Sequence, residues 1–155
     1  MPKSGYPKES PLISQTVEYA LRAVVFLADR LGSASTTQQI AAATRIPPAY
    51  LSKVMQSLGR AGLVGSRRGL RGGFTLSRPP DEMTIWDVLE AVEPLRRIRA
   101  CPLGLASHRI RLCPLHQKLD DALALIERAM RDTTLAEIIA EPSPSKPLCP
   151  FPRGS

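Results

Sequence analysis

The stretch that most constrains this chain is residues 47–80, PPAYLSKVMQSLGRAGLVGSRRGLRGGFTLSRPP. Two adjacent prolines open it, and proline suits the first turn of a helix, where the N–H has no intrahelical acceptor. Leu51, Val54, Met55 and Leu58 then recur at three- and four-residue steps, which predicts a helix with one apolar face. The glycines at 59 and 62 mark its end. Leu63 and Val64 begin a strand, and Phe74, Thr75 and Leu76 form another. The glycine-rich segment between them is too long for a tight two-residue turn, so the reading is a hairpin with a broader tip.

The flanking segments are helical. Val17, Leu21, Val24, Val25 and Ala28 have helical spacing. Thr36 or Thr37 caps a short helix, QQIAAAT, and Thr84 caps another, IWDVLEAVE. Leu115, Leu119, Ala122, Ile126 and Ala129 form the stripe of a long amphipathic helix. Thr134 to Glu137 spells a capping box ahead of LAEIIA. No internal repeat is visible. Helix, helix, turn, helix, hairpin is the order of a winged helix-turn-helix. The predicted fold is therefore mainly α with a small β-hairpin wing, followed by a long C-terminal helix. The divisions are a flexible leader at 1–11, a winged domain at 12–95, a loop at 96–116, a long and a short helix within 115–140, and a proline-rich, extended or disordered tail at 141–155. Cys149 falls in that tail and reads as incidental.

Charge says where the wing and its helix face. No Asp or Glu occurs between Asp29 and Asp81, whereas Arg45, Lys53, Arg60, Arg67, Arg68, Arg71 and Arg78 lie in that interval. The whole chain carries a formal charge of +7. A one-sign region attracts phosphate, so the expected partner is nucleic acid before a membrane surface. Ala49, Tyr50, Ser52, Lys53 and Gln56 sit at the start and on the outer face of the second helix of the pair. Serine, lysine and glutamine there can bond base edges or phosphates. Arg67, Arg68 and Arg71 sit on the hairpin, where guanidiniums reach a minor groove or the backbone. Gly69, Gly72 and Gly73 permit a sharp turn and close approach to phosphate. The plainer alternative is a solvated basic surface on a protein-interaction module. The longest apolar run, Ala23 to Ala28, is too short to span a bilayer, and the polar start has no secretory h-region. The expectation is a cytoplasmic protein with no membrane partner. Its three cysteines should be reduced thiols or metal ligands.

Residues 101–116, CPLGLASHRIRLCPLH, hold two of those cysteines and both histidines in the spacing C-x6-H-x4-C-x2-H. Two thiolates and two imidazoles make a sound tetrahedral zinc set. A thiol pair that responds to oxidation, or a loop without cofactor, fits the same residues. An enzyme is disfavoured: no second acid–base constellation, phosphate-binding glycine loop or substrate cleft is evident.

The chain from IAAATRIPPAYL through the wing to TIWDVLEAVE resembles the winged-helix repressors of the Rrf2 family, which includes the IscR, NsrR and RsrR types. The resemblance rests on Ile46-Pro47-x-x-Tyr50-Leu51, on Gly62-Leu63-Val64, on Ser66-x-Arg68-Gly69-x-x-Gly72-Gly73-Phe74-x-Leu76, and on Thr84-Ile85-x-Asp87-Val88. It extends back to TVEYALRAVVFLA and forward to TLAEI. It implies a homodimeric regulator, in the repressor mould, on a partly palindromic double-stranded DNA operator, with helix 115–131 as the dimer contact. It places Ser52, Lys53 and Arg68 at DNA-contact positions. Lys53 stands where other members carry other polar residues, so the operator sequence does not transfer. Several members hold an iron–sulfur cluster in the loop before the dimer helix, on three cysteines and sometimes a histidine. Here Cys101, Cys113 and His116 keep that pattern. The middle cysteine is missing, and His108 lies near its place. The resemblance therefore implies a 2Fe–2S rather than a cubane cluster, since a 2Fe–2S centre accepts nitrogen or oxygen beside two thiolates. The implied ligands are Cys101 and Cys113, then His116 and Glu18 (the latter from the opposite subunit), with His108 as substitute. Arg22 occupies the place of one type's histidine ligand. Zinc, thiol switching, or a cofactor-free regulator governed by a partner protein remain alternatives.

Overall fold

The structure is a computed structural model that describes residues 13–108 and 111–142. The leader at 1–11, most of the tail with Cys149, and the side chain of His108 lie outside the described residues. Helix α1 runs over Gln15–Asp29, two residues ahead of the first periodic valine, because Ser14 caps it by accepting from the Val17 N–H at 3.3 Å. Most of its circumference is buried, including Val17, Ala20, Ala23, Val24, Phe26 and Leu27, so the other helices assemble around it. Helix α2, Thr37–Thr44, starts from a reciprocal box: Gln39 N–H donates to the Thr36 hydroxyl, and the Gln39 side chain accepts from Thr36 N–H. It ends at Arg45, which takes the left-handed conformation with φ 55°.

Helix α3, Pro48–Arg60, begins at the second proline and buries Leu51, Val54, Met55 and Leu58. It runs through Gly59 rather than stopping there. Gly62, at φ 72°, makes the turn into the hairpin. Strands β1, Val64–Arg67, and β2, Gly73–Leu76, pair antiparallel with Val64 opposite Leu76 and Arg67 opposite Gly73. The hairpin root is also fastened to the α1–α2 connection: Ser35 N–H donates to the Phe74 carbonyl at 3.0 Å, and Phe74 N–H to the Ser35 carbonyl at 2.8 Å.

A single 3-10 turn, Pro80–Glu82, leads to α4, Ile85–Val92, opened by the Thr84–Asp87 box. After the connecting loop come α5, Pro114–Arg131, and α6, Leu135–Ala140. The predicted Thr134–Glu137 box caps α6, and backbone and hydroxyl hydrogen bonds from Thr134 hold the Glu137 carboxyl below its usual range. The start of α6 is stitched to the start of α4, with Leu135 N–H donating to the Met83 carbonyl at 2.8 Å and Ile85 N–H to the Thr133 carbonyl at 3.0 Å. Leu135 is fully buried in the same core as Phe26, Leu58 and Val88. Burying a side chain of this kind contributes about 1.5–3 kcal/mol.

Helix α5 divides its apolar residues between two directions. Leu123, Ile126 and Met130 line a cavity of about 170 Å³ with Ile13, Val17, Leu89 and Leu95. Leu115, Leu119, Ala122 and Ala129 are exposed, and so is Leu125. The predicted stripe is one side of the helix, but it is not evenly buried. Ile126 turns toward the body of the protein, while the rest points to solvent. Among the described residues no helix is long and apolar enough to cross a membrane.

Candidate nucleic-acid interface and cysteine loop

The apolar face of α3 is consumed by the core, so the opposite face is forced outward. Ala49, Tyr50, Ser52, Lys53 and Gln56 are all exposed there. The exposed Ser52 hydroxyl donates to the Pro48 carbonyl at 3.1 Å. Tyr50 is half-exposed, and its ring meets Tyr19 of α1 edge-on with centroids 6.0 Å apart. The first turn of α3 is thereby braced against α1.

Arg67, Arg68 and Arg71 are exposed on the hairpin. The tip is a turn over Gly69–Gly72, closed by the Gly72 N–H donating to the Gly69 carbonyl at 2.9 Å. A side chain at Gly72 has no room: its Cβ would lie 2.4 Å from the Arg67 carbonyl oxygen and 2.8 Å from that of Gly69. Gly72→Ala should therefore open the tip at a cost of about 1–3 kcal/mol. The measurements are thermal unfolding and DNA binding by gel shift; an unchanged melting point and affinity would show that the tip yields without strain. Gly73, at φ 144°, is excluded from substitution by the Ser35 backbone, whose oxygen lies 2.5 Å from a built Cβ. Arg78 belongs to the acid-free interval but is engaged within the chain, with Asp87 at 3.7 Å and the Glu82 carbonyl at 3.3 Å.

The second constellation lies at the start of α5. Cys113 is the N-cap of that helix, and its Sγ lies 3.2 Å from Nδ1 of His116. His116 therefore stands in the first turn of α5, which begins at Pro114, one residue ahead of the expected 115. Cys101 is half-buried in the α4–α5 loop, and the backbone of His108 ends a single 3-10 turn at Ala106–His108. Glu18, expected as a ligand from the opposite subunit, is engaged within its own chain. Its carboxylate pairs with Arg22 at 3.0 Å, and Arg22 also donates to the Thr44 carbonyl at the end of α2 at 3.3 Å. Among the described residues no three His, Cys, Asp or Glu side chains gather where they could hold a metal ion.

Sequence reasoning missed a clamp at the root of this loop. Arg97 donates twice to Asp120 of α5, through Nε at 2.7 Å and Nη2 at 2.6 Å, and Ile98 N–H donates to the same carboxylate at 2.9 Å. Glu127, 3.7 Å from Arg97, also pairs with Arg131 at 2.9 Å, and the Arg131 guanidinium lies 4.5 Å from the Trp86 ring centroid on α4. Forked Arg–carboxylate geometry of this kind is directional, but only the alternation of Arg97 with distant acids was available as a signal. The Arg97 hydrogen bond, aided by the Ile98 N–H, holds the Asp120 carboxyl below the usual aspartate range. A depressed carboxyl contributes stability above its unfolded pKa and loses it as pH falls through the folded one. Its contribution should thus be complete and independent of pH near neutrality and decline below about pH 4. In acid titration followed by circular dichroism, Asp120→Asn should flatten that decline. An unchanged acid limb would show that the clamp does not survive in solution.

An exposed polar face on the second helix of a helix-turn-helix, beside a basic glycine-tipped hairpin, defines a winged helix-turn-helix DNA-binding protein of the transcription-regulator class. Residues 13–141 match the Rrf2 family model, described as an iron-dependent transcriptional regulator, and the chain belongs to that family. A protein of Aquifex aeolicus (strain VF5), named among HTH-type transcriptional regulators, is 33% identical over 131 residues, covering 83% of this chain and 91% of the relative. A similarly named protein of Mycobacterium tuberculosis (strain ATCC 25618 / H37Rv) is 35% identical over 128 residues, covering 81% and 80%. Among solved structures, CymR (YrzC), the global cysteine regulator of B. subtilis, superposes with TM-score 0.67 at 25% identity over 81% of this chain and 94% of that one. IscR of T. potens shares the fold, with TM-score 0.69 at 24% identity over 81% and 84%. The function of these relatives is transcriptional regulation, not catalysis, and this chain is a DNA-binding transcriptional regulator of the same family.

Proposed function

We propose that the chain acts as a homodimeric repressor. The outer face of α3 reads the major groove of an operator, and the wing grips the adjacent minor groove or backbone. The state of the Cys101–His116 segment sets its affinity. The carrying observation is the approach of Cys113 Sγ to His116 Nδ1 at 3.2 Å on the first turn of α5. A thiol and an imidazole already adjacent are half of a metal or cluster site. One chain does not complete the set among its described residues. In this proposal Cys101 supplies the second thiolate, and Glu18 of the partner subunit or His108 the remaining ligand. The dimer follows from the exposed leucines of α5, Leu115, Leu119 and Leu125, which a second copy would cover.

When bound, a 2Fe–2S cluster would supply a one-electron redox change and sensitivity to reagents that attack iron or sulfide. The protein's own residues do the coupling. The Arg97–Asp120 fork holds the loop root on α5, and Arg131 against Trp86 ties α5 to α4 of the winged domain. Glu18, if drawn into ligation, would release Arg22, which steadies the end of α2 immediately before the recognition helix. A second reading is a regulator with zinc, a bare thiol switch, or no cofactor and a protein partner; the Cys113 Sγ–His116 Nδ1 approach of 3.2 Å would serve zinc as well as a cluster.

Anaerobically purified protein decides between them. The proposal expects visible absorbance with near-stoichiometric iron and sulfide, lost in Cys101→Ala and Cys113→Ala, with altered affinity for DNA from the chain's own promoter. Zinc without sulfide, or neither metal, would overturn the cluster and leave the second reading.

A further inference from the structure

The most exposed apolar side chain among the described residues is Leu70, at 109% relative exposure, and it occupies the extreme tip of the wing. Single exposed leucines are ordinary on protein surfaces. This one differs in how it is held and in what surrounds it. It lies inside the Gly69–Gly72 turn, whose closing hydrogen bond is 2.9 Å and whose Gly72 leaves no space for a Cβ. The root of the wing is fixed to Ser35 by two backbone hydrogen bonds, of 2.8 and 3.0 Å. Exposed Arg67, Arg68 and Arg71 stand around it. The chain thus presents one apolar side chain on a stiff arch between guanidiniums, where loops more often place glycine, asparagine, aspartate or serine.

We propose that Leu70 is a specificity-determining wedge. It enters the minor groove and packs against an easily unstacked pyrimidine–purine step, while the neighbouring arginines hold the flanking phosphates. Apolar wedges between base steps are a general means of bending DNA, and TA or CA steps yield most cheaply. The inference rests on the reading that the wing touches DNA, and it adds an apolar contact to an interface otherwise described by charge.

The test uses the full chain and duplexes selected by it from a random-sequence pool, with the step under the wing set to TA or to GG. The wild type should prefer TA by roughly 10-fold, and 2-aminopurine placed at that step should brighten on binding. Leu70→Ala should lose both the preference and the brightening while keeping its salt dependence, and Leu70→Met should restore much of each. Equal discrimination by wild type and Leu70→Ala would overturn the wedge. Arg68→Ala and Arg71→Ala separate the two levels. If they lower the salt slope, the wing is on DNA and Leu70 alone is at issue; if they do not, the wing reading fails and the wedge with it. Because Leu70 is fully exposed, its variants should melt with the wild type.

Discussion

Replacing Arg67, Arg68 and Arg71 together by alanine should weaken binding to double-stranded DNA by roughly 100-fold at moderate salt and flatten the salt dependence. Three exposed guanidiniums on one hairpin would make three phosphate neutralisations, each contributing about 0.9 to the slope of log affinity against log salt. The slope should therefore fall by about 2.7. The fold should be untouched, because all three side chains are exposed and Arg67, which stands opposite Gly73 in the hairpin, pairs through its backbone. Fluorescence anisotropy across a salt series gives both quantities. An unchanged slope would mean that the wing does not meet phosphate and that α3 binds alone. The contrast with Arg78 is informative, since its guanidinium is committed to Asp87 and the Glu82 carbonyl. Arg78→Ala should shift the melting point more than the salt slope.

Leu135→Ala should destabilise the protein by about 2–5 kcal/mol. Leu135 is fully buried in the shared core, where α6 packs against α1 and the Pro80–Glu82 turn, although it arrives from beyond the long helix. Removing it leaves a cavity under the junction where Met83 and Thr133 pair with the α6 and α4 starts. Denaturant unfolding should show a lower midpoint, and exchange should rise at the Leu135 and Ile85 amides. A cost below about 0.5 kcal/mol would show that α6 is a loosely docked tail. The two predictions separate functions by location: the wing variants spare stability, and the α6 variant acts through it.

Much of the fold was legible because its signals are local. The apolar period of α3, the prolines at its start, the glycines of the hairpin and the threonine caps act within a few residues of themselves, although only the Thr134–Glu137 cap was legible as a reciprocal box. The exposed face of α3 was legible for a related reason. Once Leu51, Val54, Met55 and Leu58 are inward, helical geometry leaves Ser52, Lys53 and Gln56 outward. The cysteine segment was legible only as a spacing. Spacing did not reveal that Cys113 caps α5 with His116 beside it, nor that Glu18 is engaged by Arg22. Those facts depend on where a helix begins and on which partner is nearer in space.

The sequence by itself determined the winged helix-turn-helix, its basic face and the presence of a thiol–imidazole segment, because periodicity, capping and charge are properties of neighbours along the chain. Only the tertiary structure decided that α6 belongs to the winged core, that the apolar side of α5 is split between a cavity and solvent, and that Arg97 and Asp120 clamp the loop to α5. The physical reason is distance along the chain. Arg97 and Asp120 are 23 residues apart, and the partners of Leu135 come from the first half of the chain as well as the second. No local preference encodes which of several arginines will meet which carboxylate; packing settles it.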